Sequence, residues 1–194
     1  MSMTKVTSGI IDTVDASKIT GTMPAIDGSA LTGIEGGGKL LQVVSTSDFA
    51  TNQSCNTSTG NWTYLVNTSS QEVNLSITPS STSSKIIATL STQTLWSWAT
   101  GSESNRRSFL LIAAKIGSGS YSNLQCRQMV TQATSSQNIY NYFDDRTIST
   151  VYSPNTTEAV TFRIGACTEA PNWMVNWTPG YGCNTNLVLQ EIGA

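Results

Sequence analysis

The chain has 194 residues, of which 38% are hydrophobic, enough for one core-forming domain with an appendage. Charged residues make up 11%, well below the roughly 25% of average globular proteins. The formal net charge is −2, so nothing in the composition attracts nucleic acid or an anionic membrane surface. Ser and Thr replace the missing charges, and such a neutral, hydrogen-bonding surface is typical of secreted adhesins and virion parts.

Histidine is absent from the chain. Its absence removes the usual general base, the Ser-His-Asp and Cys-His arrangements and most transition-metal sites. Asp144 and Asp145 are adjacent, but neighbours on a strand point to opposite faces and cannot jointly flank a bond. We expect them in a surface turn. The sequence therefore predicts a protein that is not an enzyme and that has no cofactor and no metal ion.

The first 38 residues are predicted to form an extended, mostly irregular anchoring or shaft segment. A loose repeat occurs at Val6–Ile10, Ile19–Met23 and Leu31–Ile34, each with isolated apolar residues around a Thr and a Gly. Such a segment buries too little apolar surface to fold alone. It is either a flexible leader or a shaft in which partner copies supply the burial. The apolar anchors of this predicted shaft are Val6, Ile10, Ile19, Met23, Leu31 and Ile34.

Residues 39–194 are predicted to form a β head domain, separated from the segment by the flexible Gly36–Gly38. Short strands alternate with Ser/Thr/Asn/Gly turns, and eight to ten strands at this spacing indicate an all-β antiparallel sandwich or jelly roll. Arg107–Gly117 is apolar on both faces, which predicts a strand that is central or covered by a partner subunit. The other predicted strands are Leu40–Ser45, Trp62–Asn67, Val73–Thr78, Lys85–Thr92, Leu124–Thr131, Thr147–Tyr152, Ala159–Ala166 and Asn186–Ile192.

Aromatic residues beside Asn, Ser and Thr form the candidate ligand site. Trp and Tyr can stack on sugar rings while neighbouring amides bond the hydroxyl groups, although large aromatics also fill cores and subunit interfaces. Both interpretations stay open at this point. The residues concerned are Trp96, Trp98, Trp173, Trp177 and Tyr181.

Four cysteines, Cys55, Cys126, Cys167 and Cys183, form no CxxC pair, and scattered ligands without histidine make a zinc site improbable. Buried thiols are the first interpretation. The alternative is a Cys167–Cys183 disulfide, because the two residues flank a turn-rich loop. The first residues lack the apolar core of a signal peptide, and no window approaches a membrane span, so we expect synthesis in a cytosol and no membrane insertion.

Three phrases resemble segments of bacteriophage tail-fibre and related virion proteins. They are D-A-S-K-I-T-G-T-M-P-A-I-D-G-S-A-L-T-G-I, ending at Ile34; S-I-T-P-S-S-T-S-S-K-I, at Ser76–Ile86; and L-V-L-Q-E-I-G-A, at Leu187–Ala194. Together they cover about a quarter of the chain. The resemblance implies a homotrimer with a β-rich head, exposed on the surface of a phage particle and made in the host cytoplasm.

Within that class the expected role is a tail-fibre or knob protein that contacts other virion proteins through residues 1–38 and, through its head, a host-surface glycan. One alternative is a capsid decoration (cement) protein on the outer shell. The short chain and the lack of coiled-coil heptads favour a small knob, a terminal fibre piece or such a decoration protein over a complete tail fibre. A second alternative is a free-standing carbohydrate-binding module with exposed tryptophans.

Overall fold

A computed structural model describes residues 39–55, 61–98, 106–131, 140–168, 173–175 and 185–193. By its internal contacts the chain divides between Gly36 and Gly37 into two units. The first unit, with the six predicted anchors, lies outside the described residues. The described part of the second unit is all-β and contains no helix, as its sequence pattern predicts.

Eleven strands follow one another along the described chain. Their bounds are β1 Leu40–Thr46, β2 Gln53–Ser54, β3 Thr63–Tyr64, β4 Asn74–Ile77, β5 Lys85–Trp98, β6 Arg106–Ile116, β7 Ser122–Thr131, β8 Tyr140–Tyr152, β9 Val160–Thr168, β10 Trp173–Val175 and β11 Asn186–Ile192.

Every strand pair is antiparallel, and the strands form two sheets. In the first sheet the order is β1-β11-β5-β10-β2, and β8 pairs with the free side of the long β5. In the second sheet the order is β3-β9-β6-β7, and β4 pairs with β9 next to β3. The four principal neighbours are therefore β1-β11-β5-β8 in one sheet and β4-β9-β6-β7 in the other.

One hydrophobic core lies between the two sheets. Alternate residues of each strand face it, because successive side chains on a strand point to opposite sides. The first sheet contributes Ile86, Ala88 and Leu90 from β5, and the second contributes Phe162 and Ile164 from β9. All five side chains are 0% exposed. The predicted alternations on these strands are confirmed, and the arrangement is that of two sheets packed face to face.

The two-sided apolar strand β6 is central in the second sheet, between β9 and β7. Leu110 and Ile112 face the core, while Leu111 and Ala113 lie on the opposite, outer face and are also buried. The chain itself supplies part of this cover: the Trp62 side chain lies against Gly165, where an added Cβ would come within 3.3 Å of the indole. The sequence left two explanations for the apolar residues on both faces of this strand, a central position or cover by a partner subunit. The central position is sufficient to explain them.

One local prediction is wrong, and another is confirmed only in part. Asp144 and Asp145 do not lie in a surface turn, because β8 begins at Tyr140 and pairs with β5 along its whole length. Within Trp62–Asn67 only β3, Thr63–Tyr64, is a strand, and Val66 forms an isolated bridge to Glu72. In the first case pairing with a long partner strand overrides the local polarity, which is the usual limit of β-propensity.

A buried carboxylate joins the β4–β5 turn to the first sheet. Glu191 on β11 is 1% exposed. It accepts hydrogen bonds of 2.6 Å from both the Ser80 amide and the Ser80 hydroxyl, and one of 2.9 Å from the Gln42 side chain. Burial by itself would raise the pKa of Glu191, but these bonds to the charged form outweigh it and lower that pKa to about 2. The carboxylate is therefore charged at neutral pH, and within the described ranges its partners are these neutral hydrogen-bond donors.

Candidate functional site

An exposed apolar patch covers one end of the outer face of the first sheet. It consists of Leu40, Leu41, Val43 and Val151, which are 51%, 41%, 53% and 62% exposed. They are the exposed large hydrophobic side chains among those residues whose side-chain burial the structure describes. Single exposed apolar residues are normal, but their grouping on one face makes this patch a candidate interaction surface.

The strand register explains why these residues meet. Val43 pairs with Gln190, Gln190 with Ile87, and Ile87 with Val151. Directly paired residues share a face of a sheet, so this row crosses four strands from β1 to β8. The patch is about 15 Å wide, since neighbouring strands lie about 4.8 Å apart.

Leu40 and Leu41 extend the patch toward the end of the sheet. Leu40 pairs with Ile192, and the register shifts between Leu40 and Gln42. Leu41 lies at this irregularity beside Gly193, whose added Cβ would be 3.2 Å from the leucine side chain. The sequence contains a signal for the patch. In L-L-Q-V-V, at Leu40–Val44, apolar residues occur at both odd and even positions, so both faces of the strand have them, as in β6.

Hydroxyl pairs replace the apolar side chains further along the same face. Thr89 and Ser149 share a hydrogen bond of 2.9 Å, and Ser91 and Thr147 share one of 3.1 Å. Beyond them Gln93 donates to Asp145 over 3.0 Å. The outer face of the first sheet thus changes from apolar side chains at Val43 and Val151 to polar ones between Thr89 and Gln93.

A stack of two aromatic rings and one cation lies on the outer face of the second sheet. The Arg163 guanidinium carbon lies 3.5 Å from the centre of the Tyr64 ring and 3.8 Å from that of Tyr121. The Arg163 side chain is 18% exposed, and its Nη1 lies 3.6 Å from a Glu72 carboxylate oxygen. Stacking on two rings is the geometry that favours arginine over lysine.

The residues of this stack contact one wall of a polar groove, which has a volume of about 280 Å³. Tyr121 donates to the Asn74 side chain over 2.5 Å, and both Asn74 and Glu72 line the groove. Its other polar lining residues are Thr46, Asp48, Asn67 and Gln71. The sequence does not reveal the groove or the stack, because their residues come from several elements and share no spacing.

The backbone brings together three of the five aromatic residues predicted from sequence. Trp173 on β10 pairs with Trp96 on β5, and Trp96 pairs with Tyr142 on β8. Trp98 lies two residues beyond Trp96 on the same strand. The other two, Trp177 and Tyr181, lie outside the described residues. The predicted glycan contact through these residues stays a prediction.

Of the two cysteines in the predicted disulfide, one belongs to the described residues and the other does not. Cys167 is buried, whereas Cys183 lies outside the described residues, so the predicted disulfide stays a prediction. Burial raises the pKa of the Cys55 thiol, and the nearby Cys167 raises it further. Cys126 is exposed, so the buried-thiol interpretation is wrong for this residue, although partial burial and the nearby Cys167 still raise its thiol pKa. A raised thiol pKa lowers the thiolate fraction, so these groups are poor nucleophiles.

The described residues contain no cluster of three or more Cys, Asp or Glu side chains that could hold a metal ion. Within the same ranges no helix has the length and hydrophobicity needed to cross a membrane. The chain matches no protein-family model and no curated protein.

Proposed function

We propose that the protein is a homotrimeric structural component of a phage virion, a tail-fibre or knob protein with a projecting β head. Residues 1–38 anchor it to other virion proteins, and the particle surface is its location. The chemistry is assembly rather than catalysis. Contacts between copies bury apolar surface that one chain leaves in water.

The observation that carries this proposal is the apolar patch. Its residue Leu40 begins β1 and follows the N-terminal segment after a single residue, Lys39. If the predicted shaft holds three N-terminal segments together, the three copies of Leu40 lie close to one another, because each Leu40 is only one residue away from the end of its own segment. The patch then lies where neighbouring heads meet. We therefore assign the contact between heads to the first sheet and not to the outer face of β6.

The order of strand pairing also supports the proposal. The outermost pair is β1 with β11, followed inward by β4 with β9, β5 with β8 and β6 with β7. We propose that the head is a jelly roll, a fold whose eight strands pair in this nested way and which is found in viral capsid and lectin domains. A fold alone does not define a function, so this is support for the class and no more.

Two of the phrases that resemble phage virion proteins are in contact in the structure. Ser80 belongs to S-I-T-P-S-S-T-S-S-K-I and Glu191 to L-V-L-Q-E-I-G-A, and the two residues are joined by two hydrogen bonds of 2.6 Å. The phrases are thus parts of one structural unit, 111 residues apart in sequence. This contact makes their joint occurrence more informative than two separate matches of common residues.

Native mass spectrometry of the full chain at micromolar concentration tests the assembly. We expect a species of three times 20.7 kDa, and a stable monomer would refute the proposal. Gold-labelled antibody against the chain, applied to purified particles, tests the location. Label at the tail supports the tail-fibre role, label on the shell assigns the decoration role instead, and absence of label from the particle refutes a virion component.

A further inference from the structure

We propose that the groove beside β4 is a binding site for an uncharged saccharide. The groove is formed by the end of β1, by the segment between Asn67 and Glu72, and by the first half of β4. Its volume of about 280 Å³ is close to the lower end of the range for small-molecule sites. It therefore fits one or two sugar rings rather than an extended chain. This inference does not depend on the trimer.

The groove offers both hydrogen-bond donors and acceptors. Asp48 uses one oxygen, Oδ1, to accept from the Thr68 amide and hydroxyl, which leaves Oδ2 as an acceptor. Asn67 likewise uses Oδ1 to accept from two backbone amides, which leaves its NH₂ group as a donor. The Gln71 side chain makes no hydrogen bond within the described part of the chain and supplies both kinds of group.

Hydroxyl groups match such a lining best, because each hydroxyl donates one hydrogen bond and accepts others. A sugar presents several hydroxyls on one rigid ring, so few rotatable bonds are immobilised on binding. Val73 and Leu75 add apolar lining for the C–H groups of the ring. Most ligand sites combine apolar lining with a few placed polar groups in this way.

The charges around the groove favour a neutral ligand. The carboxylates of Asp48 and Glu72 line it, and two cations lie close by: Arg163, 3.6 Å from Glu72, and Lys115, 5.1 Å from the Tyr121 ring. The formal charges of these four groups sum to zero. An anionic sugar would meet these two carboxylates directly and be repelled by them.

The Arg163 stack holds the groove wall in place. Asn74 is fixed by the bond from Tyr121, and its own NH₂ group donates to the Glu72 carbonyl over 3.2 Å. Asn74 also pairs with Arg163 in the β4–β9 register. A wall that is already ordered lowers the entropic cost of binding. We therefore regard Arg163 as a positioning residue.

The groove lies at the end of β1, and the apolar patch lies at its start and middle. Thr46, the last residue of β1, lines the groove; it is three residue steps from Val43 and six from Leu40, about 10 Å and 20 Å, and its side chain alternates to the opposite face from Val43. Assembly through the patch thus leaves the groove accessible. A ligand bound there would lie away from the point where the N-terminal segment joins.

Saturation-transfer difference NMR on the full chain tests the site. The probes are glucose, galactose, N-acetylglucosamine and lactose as neutral sugars, with glucuronic acid and N-acetylneuraminic acid as charged ones. We expect transfer to at least one neutral sugar with a dissociation constant of about 1–10 mM, weaker than drug-like ligands because few contacts form. Gln71→Ala should weaken binding about 3- to 10-fold, the size of one or two hydrogen bonds.

The matched control is Gln93→Ala, the same substitution on the outer face of the first sheet, where Gln93 contacts Asp145. It should leave sugar binding unchanged. The proposal is overturned by absence of transfer to all four neutral sugars, by stronger transfer to the charged sugars, or by equal binding in Gln71→Ala and the parent chain. The trimer mass is measured on the same samples, so failure of this site is distinguishable from failure of assembly.

Discussion

Replacement of Val151 by Lys should weaken the trimer without unfolding the head. Val151 is 62% exposed in the single chain. Complete burial of a valine contributes about 1.5–3 kcal/mol, so covering the exposed part contributes roughly 0.9–1.9 kcal/mol per copy. Three copies lose about 3–6 kcal/mol, which raises the trimer dissociation constant by about 10²- to 10⁴-fold. The concentration at half-assembly varies as the square root of that constant and rises about 10- to 100-fold.

Sedimentation equilibrium over a concentration series measures this midpoint. The matched control is Thr147→Lys, which adds the same charge on the same strand and face, four residues and about 13 Å away. Thr147 belongs to the hydroxyl pairs and not to the patch. Equal midpoints for Val151→Lys and the parent chain would show that the patch is not the contact between copies. An equal shift in both variants would mean that charge, rather than lost burial, is responsible.

Three further predictions concern the head itself. Glu191→Gln should lower the free energy of unfolding at pH 7 by about 2 kcal/mol, the scale of bonds to a buried charge. Because the folded pKa of about 2 lies below the ordinary 4.5, the contribution of Glu191 is full above about pH 5 and disappears as the pH falls toward 2. Urea titrations across that window should show a flatter pH dependence in the variant, and parallel curves would contradict the assignment. Arg163→Lys keeps the charge but loses the flat stack and should weaken neutral-sugar binding while the trimer mass is unchanged; unchanged binding would argue against a positioning role. Gly117→Ala should lower the thermal midpoint, since Gly117 has φ +50° and a left-handed conformation costs other residues about 1 kcal/mol; an unchanged midpoint would contradict this.

Much of the fold follows from local sequence patterns. Alternation in β4, β5 and β9 predicts which residues face the core, and Phe162 and Ile164 are buried as that alternation requires. The closing strand was predicted at Asn186–Ile192 and lies there. These predictions succeed because a half-buried strand imposes a period of two on its own residues.

Pairing between distant strands decided what local patterns left open or missed. Asp144 and Asp145 are predicted in a surface turn, yet they continue β8 because the long β5 offers a partner at every step. Likewise the apolar outer face of β6 suggested a subunit contact. Its cover includes the chain's own Trp62, which comes from a loop about 50 residues away in sequence and lies against Gly165.

By itself the sequence determined the class of the head, its core-facing residues and the absence of histidine chemistry, since composition and alternation are properties of single segments. Only the tertiary structure placed Val43 and Val151 in one row across four strands and brought Arg163 between two tyrosines from different parts of the chain. Register and sheet order are set by contacts between residues far apart in sequence. A surface formed by several strands therefore becomes visible only when those strands are paired.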